Sequence, residues 1–324
     1  MRCVALAQAW ADGGGRVAFL YATMSSSLQQ RIQAEGFECS GLVVQPGSQR
    51  DAEATSEQAQ RHGSRMVVVD GYHFRADFRS HLRRATLKVI SIDDNGESDT
   101  SASDLIINQN RHATAALYSQ HAPGARLLLG TDYALLRREF RCLTARPREF
   151  QAGAAHVLVT LGAADPDNVT ARVTDALAAT LEPGTETRIV VGGSNRHAVA
   201  VGAAAGRLRG ARIIDDPGMD MPELMAWADF AVCAGGGTMW ELAYLGVPFI
   251  PVIIAENQRL AALAMGRDGY LVVDSTTLER DLPAAVRTLV SNAENRKTLS
   301  QLGRRLVDGM GAKRVCQVLR QLAD

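Results

Sequence analysis

The stretch Phe230-Ala231-Val232-Cys233-Ala234-Gly235-Gly236-Gly237-Thr238-Met239-Trp240-Glu241 decides the fold. A short apolar run ending on three glycines reads as a buried strand, and Thr238–Leu245 opens a helix directly behind it. Strand, glycine turn and helix in that order are the core of a βαβ unit. Glycines let the backbone approach a ligand closely, and a helix N-terminus presents free N–H groups and a partial positive charge. Thr238 can cap the helix or bond a phosphate oxygen. Glu241, one helical turn further on, can take both hydroxyls of a ribose. The plain alternative is a tight strand-to-helix turn that binds nothing.

The same pattern recurs on either side. The strand Pro248–Ile254 ends in Ile254-Ala255-Glu256-Asn257-Gln258, and the strand His156–Gly162 runs into Ala163-Ala164-Asp165-Pro166-Asp167-Asn168. Ligands of open α/β sheets bind beyond the carboxyl ends of strands. Asn257 and Gln258 are therefore expected beside the glycine turn, as amide donors and acceptors. Small residues at 162–164 would admit a pyrophosphate, with Asp167 or Asn168 capping the next helix. Either turn alone could be an ordinary βα loop, but three on successive strands make a coherent site.

Short apolar runs alternate with amphipathic stretches along all 324 residues, which predicts α/β architecture with parallel sheets. The length suggests two domains. The first carries strands at Arg16–Ala22, Gly41–Val44, Arg65–Asp70, Leu87–Asp93, Leu105–Asn108 and Leu127–Gly130. Helices are expected near Ser26–Ala34, Asp51–His62, Phe74–Arg84 and Ala113–His121. Arg141–Ala154 has no apolar period and reads as a linker, dividing the chain into 1–145 and 146–324. The second domain adds helices at Asn168–Leu181 and near Arg196–Leu208, a strand at Ala211–Asp215 and three closing helices from about Leu282. The first domain opens on a helix, Met1–Asp12, whereas a doubly wound domain opens on its central strand. In this domain Asp70 and Tyr72, Asp93 and Asp94, and Asn108–Asn110 end successive strands and would line a wall facing the glycine turns.

Formal net charge is zero, with 35 basic and 35 acidic residues, so no electrostatic footprint for nucleic acid is present. Five scattered cysteines without a CxxC pair read as buried free thiols in a reducing compartment. No apolar run approaches a bilayer span and no secretory signal is visible, so a cytoplasmic protein without a membrane partner is expected. A GxxxxGK[ST] loop and a leading GxGxxG are absent, and the histidines do not sit at ligand spacings. No metal and no cofactor are expected.

Seven phrases carry a resemblance along nearly the whole chain: VVVDGYHF, SIDDNG, DLIINQN, YALLRREF, LVTLGAADPDN, ELMAWADFAVCAGGGTMWELAYLGVP and IIAENQ. Together they resemble the UDP-2,4-diacetamido-2,4,6-trideoxy-β-L-altropyranose hydrolases of pseudaminic acid biosynthesis, the PseG family, relatives of MurG-type GT-B glycosyltransferases. The resemblance implies a GT-B-like fold of two Rossmann-like domains with a cleft between them, acting as a monomer on a UDP-sugar. It places the ribose on Glu241 and the pyrophosphate on Gly236, Gly237 and Thr238. The turn containing Gly162, Asp165 and Asn168 would add to the phosphate and sugar site, and main-chain groups near Ile213–Asp215, with Ile214 at their centre, would read the uracil. Asn257 and Gln258, with Tyr72 across the cleft, would hold the diphosphate and sugar, Tyr72 and Asn257 as catalytic groups. The implied reaction is hydrolysis at the anomeric carbon with release of UDP.

Two departures from the family pattern stand out. Gly162-Ala163-Ala164-Asp165-Pro166 replaces the family's GGSDP. The family's first strand, glycine-rich loop and water-activating histidine precede the point matched by Met1-Arg2-Cys3. The expectation is an upstream start or a chain impaired in hydrolysis. Two further readings stay open: a GT-B glycosyltransferase with the same donor site, and an inactive UDP-sugar-binding protein.

Overall fold

The computed structural model describes residues 1–96, 99–120, 122–143 and 148–323. Two compact units emerge: Met1–Arg138 with Gly309–Asp324, and Glu139–Asp308. The boundary expected between 145 and 146 lies outside the described residues.

The first unit runs α1 (Arg2–Asp12), β1 (Ala18–Tyr21), α2 (Ser26–Ala34), β2 (Glu38–Gly41), α3 (Gln49–Arg61), β3 (Met66–Asp70), α4 (Ala76–Arg84), β4 (Lys88–Ile92), β5 (Leu105–Asn108) and β6 (Arg126–Leu129). The short α5 (Arg138–Cys142) follows, at the head of the stretch read as linker. The strands form two parallel sheets, β1-β2 and β3-β4-β5-β6. β2 lies three residues before its expected place. Gly36, at φ +81°, closes the turn after α2, and only Phe37 separates it from the strand. The helix expected at 113–121 is only a 3₁₀ turn at Ala115–Leu117. Tyr118 behind it is fully buried, with its hydroxyl donating to Asp93 at 2.7 Å.

The second unit runs β7 (His156–Thr160), α6 (Val169–Ala178), β8 (Glu186–Val191), α7 (Ala198–Ala205), β9 (Ala211–Asp215), α8 (Met221–Trp227), β10 (Phe230–Ala234), α9 (Thr238–Leu245), β11 (Phe249–Ile253), α10 (Arg259–Arg267), β12 (Val273–Asp274), α11 (Leu278–Ser291) and α12 (Ala293–Leu306). Its six parallel strands stand in the order β12-β11-β10-β7-β8-β9. β10 and β11 are buried at every position, which explains their unbroken apolar runs.

The last helix, α13 (Gly311–Ala323), corrects the reading that assigned the whole carboxyl-terminal stretch to the second domain. Its apolar stripe Ala312, Val315, Cys316, Val318 and Leu319 is buried with Ala5, Leu6, Ile90, Leu105 and Leu135 of the first unit. A helix with one wide apolar face goes where that face is covered. The cysteine reading is also corrected: Cys233 and Cys316 are buried, Cys3 and Cys39 half-buried, and Cys142 exposed. No helix among the described residues is long and apolar enough to cross a membrane.

Candidate functional site

In the second unit the winding reverses between β7 and β10, which are neighbours. An open parallel sheet leaves a crevice at the carboxyl ends of its strands at such a point. The three turns singled out from the sequence follow β7, β10 and β11, three adjacent strands, and so lie along one edge of this sheet.

The turn after β7 is shaped by three backbone constraints. Gly162 has φ +96°, a conformation that side-chain-bearing residues rarely adopt. Ala163 lies against Gly192 at the end of β8, where an added Cβ would sit 2.4 Å from the Ala163 Cα. In the sequence Gly192 merely closes a strand and carries no motif of its own. Asp165, 2% exposed and at φ +40°, accepts from the Val169 N–H at 2.8 Å and the Thr170 N–H at 2.9 Å. It therefore caps α6, the task expected of Asp167 or Asn168. Both its oxygens are committed to the fold, and its part in the site is to set the loop. Asn168 adopts φ +52° and makes no side-chain cap, and its Oδ1 is buried without a hydrogen-bond partner. The His197 Nε2 lies 2.9 Å from the Pro166 carbonyl and holds the loop from its other side.

The turn after β10 is built over Gln258. Its Oε1 accepts from the Gly235 N–H at 3.2 Å and the Ile254 N–H at 3.3 Å, tying the ends of β10 and β11 together. The amide expected to hold the diphosphate thus has its oxygen engaged by the main chain. Gly236 is half-exposed and Gly237 exposed. Thr238 begins α9, which carries no side-chain cap, so of the two roles open to Thr238 the cap is not made. The first-turn N–H groups of an uncapped helix carry a partial positive charge toward whatever lies ahead. Glu241 is half-buried in that first turn, while Met239, Trp240, Leu242 and Ala243 anchor the helix in the core.

Asn257 is exposed in the 3₁₀ turn Glu256–Gln258 after β11. Arg259 beyond it pairs with Glu256 at 2.9 Å and with Asp274 at 2.8 Å. Hydrogen bonds from Thr276, followed by Arg259, hold the Asp274 carboxyl down at about 2.

Ile214 sits on β9, an edge strand two places from β7. The Asp216 N–H donates to the Val191 carbonyl and the Thr187 N–H to the Gly210 carbonyl, so even-numbered residues turn their main chain toward β8. With the two-residue period of a strand, Ile213 and Asp215, not Ile214, offer main-chain groups to the free edge.

Tyr72 belongs to the first unit, just past β3. It is 55% exposed, and its hydroxyl donates to Asp94 at 2.5 Å. Asp94 and Asp70 both bind Arg2, with shortest contacts of 2.6 and 2.7 Å. Burial raises the Asp94 carboxyl, but the Arg2 charge and hydrogen bonds from Arg2, Tyr72 and Asn110 outweigh it and hold it below its ordinary value. Cys3 donates to Asp70, and burial together with that carboxylate pushes its thiol up to about 12. The Asn108 Nδ2 donates to the Asp94 carbonyl at 2.7 Å and to the Tyr118 hydroxyl at 2.8 Å. These strand-end residues are tied to one another and to Arg2.

Residues 209–307 match the glycosyltransferase family 28 C-terminal domain. That segment contains Ile214, Gly236, Gly237, Thr238, Glu241, Asn257 and Gln258, and leaves out the turn after β7. The spore coat polysaccharide biosynthesis protein SpsG of Bacillus subtilis (strain 168) is 27% identical over 73% of this chain and 70% of its own. The UDP-GlcNAc 2-epimerase of Neisseria meningitidis, solved bound to UDP-GlcNAc, superposes with a TM-score of 0.71 at 10% identity, covering 99% of this chain and 98% of that one. MurG of Acinetobacter baumannii gives 0.67 at 14% identity, covering 99% and 95%. The chain therefore has a GT-B glycosyltransferase-like fold, two Rossmann-like units of parallel sheet, and its residues 209–307 are similar to the glycosyltransferase family 28 C-terminal domain.

Proposed function

We propose that the second unit binds the UDP half of a nucleotide sugar and that the protein cleaves the bond between the anomeric carbon and the diphosphate. The observation that carries this reading is the uncapped start of α9 behind Gly235–Gly237, beside the Gly162 turn across the switch point. A diphosphate suits that place because N–H groups and helix dipole both favour an anion. Glu241, one turn along, takes the ribose hydroxyls. The free edge of β9 reads the uracil through Ile213 and Asp215. Asn168 offers its Oδ1 to a ligand donor.

The acceptor is water, and the sugar is the diacetamido-trideoxy hexose implied by the PseG resemblance, made for a nonulosonic acid that decorates surface glycans or flagellin. Water attacks the anomeric carbon, the bond to the diphosphate oxygen breaks, and UDP leaves. The charge that grows on the leaving oxygen is stabilised by the partial positive end of α9, where the Met239 and Trp240 N–H groups themselves donate to the Gly236 and Gly237 carbonyls at 3.0 Å. Asn257 is assigned to the sugar end. The protein works as a cytoplasmic monomer and uses no cofactor. The similarity of residues 209–307 to a glycosyltransferase domain favours one second reading, transfer of the sugar to an acceptor.

Calorimetric titration with UDP, UMP and uridine tests the binding site. Affinity should fall in that order, and equal affinities for UDP and uridine would remove the diphosphate from α9. UDP release from the sugar nucleotide separates the two reactions. Release without any acceptor supports hydrolysis, and release only with an acceptor replaces it by transfer.

A further inference from the structure

Among the described residues a turn follows each strand of the second unit, at the carboxyl edge of its parallel sheet. Five of these turns, 161–168, 216–220, 235–237, 254–258 and 275–277, contain no basic residue. They do contain Asp165, Asp167, Asp216, Asp220 and Glu256, and Glu241 stands behind the glycine turn. A diphosphate brought to this edge therefore meets acidic side chains, against which the start of α9 sets only a partial positive charge. Arg259, which opens α10, is already committed to Glu256 and Asp274. The turn after β8, residues 192–197, is the exception, because it carries Arg196 and His197.

That turn is docked on its neighbour. Gly192 leaves no room for a Cβ against Ala163, and the His197 Nε2 lies 2.9 Å from the Pro166 carbonyl. Its own shape is fixed by two bonds. The Asn195 N–H donates to the Gly192 carbonyl at 2.9 Å, and the His197 N–H to the Asn195 Oδ1 at 2.7 Å. Between these anchors Arg196 is exposed and forms no ion pair among the described residues. It also directly precedes His197, the N-cap of α7, where a helix favours acids and disfavours cations. α8, α9, α11 and α12 each carry an acid in the first turn and Asp165 caps α6, whereas α7 has neither an acid there nor a side-chain cap. An anion on the guanidinium relieves that repulsion.

We infer that Arg196 is the countercharge of the nucleotide site: its guanidinium pairs with the diphosphate of the UDP moiety from the β8 side, while the start of α9 faces it from the β10 side. The inference rests on the proposed UDP-sugar site and adds a residue to it. Neighbouring strands stand about 4.8 Å apart, and β8 is next to β7, so the Arg196 turn is one strand from the Gly162 turn. An arginine side chain reaches across one such spacing, and its planar fork matches two phosphate oxygens. Paired in this way, Arg196 offsets the charge that grows on the diphosphate as UDP leaves.

Calorimetry with UDP and with uridine tests this on the unaltered chain and three variants. Arg196→Ala should weaken UDP binding about tenfold, leave uridine binding unchanged, and flatten the fall of UDP affinity with added salt. Arg196→Lys keeps the charge without the fork and should recover part of the loss. Arg209→Ala removes an equal, exposed charge just before β9, at the opposite edge of the sheet, and should leave both affinities unchanged. Unchanged UDP affinity in Arg196→Ala overturns the proposal. Equal losses for UDP and uridine in that variant also overturn it, since Arg196 then only supports the turn. An equal loss in Arg209→Ala does the same, by reducing the effect to net charge. If the unaltered chain binds uridine as tightly as UDP, the diphosphate site itself fails, and Arg196 with it.

Discussion

Glu241, Gln258 and Asn257 stand within three short turns yet answer to different forces, so their substitutions should separate. Glu241 is half-buried at the start of α9 and is assigned to the ribose. Glu241→Ala should weaken UDP binding by about 1.5–3 kcal/mol, the range for a charged hydrogen bond, with little change in melting temperature. Unchanged affinity in calorimetry would exclude it from the site. Gln258→Ala should cost about 1–3 kcal/mol of stability, because the Ile254 N–H then loses its acceptor. Gln258→Glu keeps that acceptor and should recover most of the loss in chemical denaturation. Asn257 is exposed beyond β11 and is assigned to the sugar. Asn257→Ala should lower the rate of UDP release more than it lowers UDP affinity, the pattern of a contact strengthened in the transition state. Equal losses would make it a nucleotide clamp.

At the scale of elements, α1 is held to β3 and β4 through the two carboxylates on Arg2. The folded Asp94 carboxyl titrates below its ordinary value, so its contribution to stability is complete above about 3.9, the usual aspartate value. That contribution is lost as pH falls through the lower folded value. The first unit should therefore weaken in acid below about pH 4, and Asp94→Asn should flatten that dependence while lowering stability at neutral pH. An acid limb of the same steepness in the variant, followed by tryptophan fluorescence of Trp10, would assign the effect to other groups.

At the scale of the whole molecule, the chain leaves the first unit after Arg138 and returns to it for α13. Deleting residues 309–324 uncovers Ala5, Leu6, Leu105 and Leu135 and removes buried Val315 and Leu319. At roughly 1.5–3 kcal/mol per large apolar side chain, the loss exceeds what most domains can spare. The first unit should unfold in this form, seen as rapid amide exchange in β3–β6, while the second unit keeps its protection and its UDP binding. Loss of protection in β7–β11 instead would place α13 in the second unit's core.

Local chemistry made most elements legible from the sequence. Apolar runs gave away β7, β10 and β11 and the turns behind them, the first two closed by glycine, because a buried parallel strand and a glycine turn each leave a mark on consecutive residues. The choice of side-chain partner left no such mark. Asp165 rather than its neighbours caps α6, Gln258 supports the turn it was expected to line, and within Ile213–Asp215 the pairing with β8 decides that Ile213 and Asp215, not Ile214, face the free edge. Nor could the sequence show that α13 crosses back, since an amphipathic helix specifies the width of its apolar stripe but not the surface that covers it. Composition and pattern decided what the elements of this protein are; long-range pairing decided which unit α13 completes, where two sheets fail to meet, and which groups remain open to a ligand.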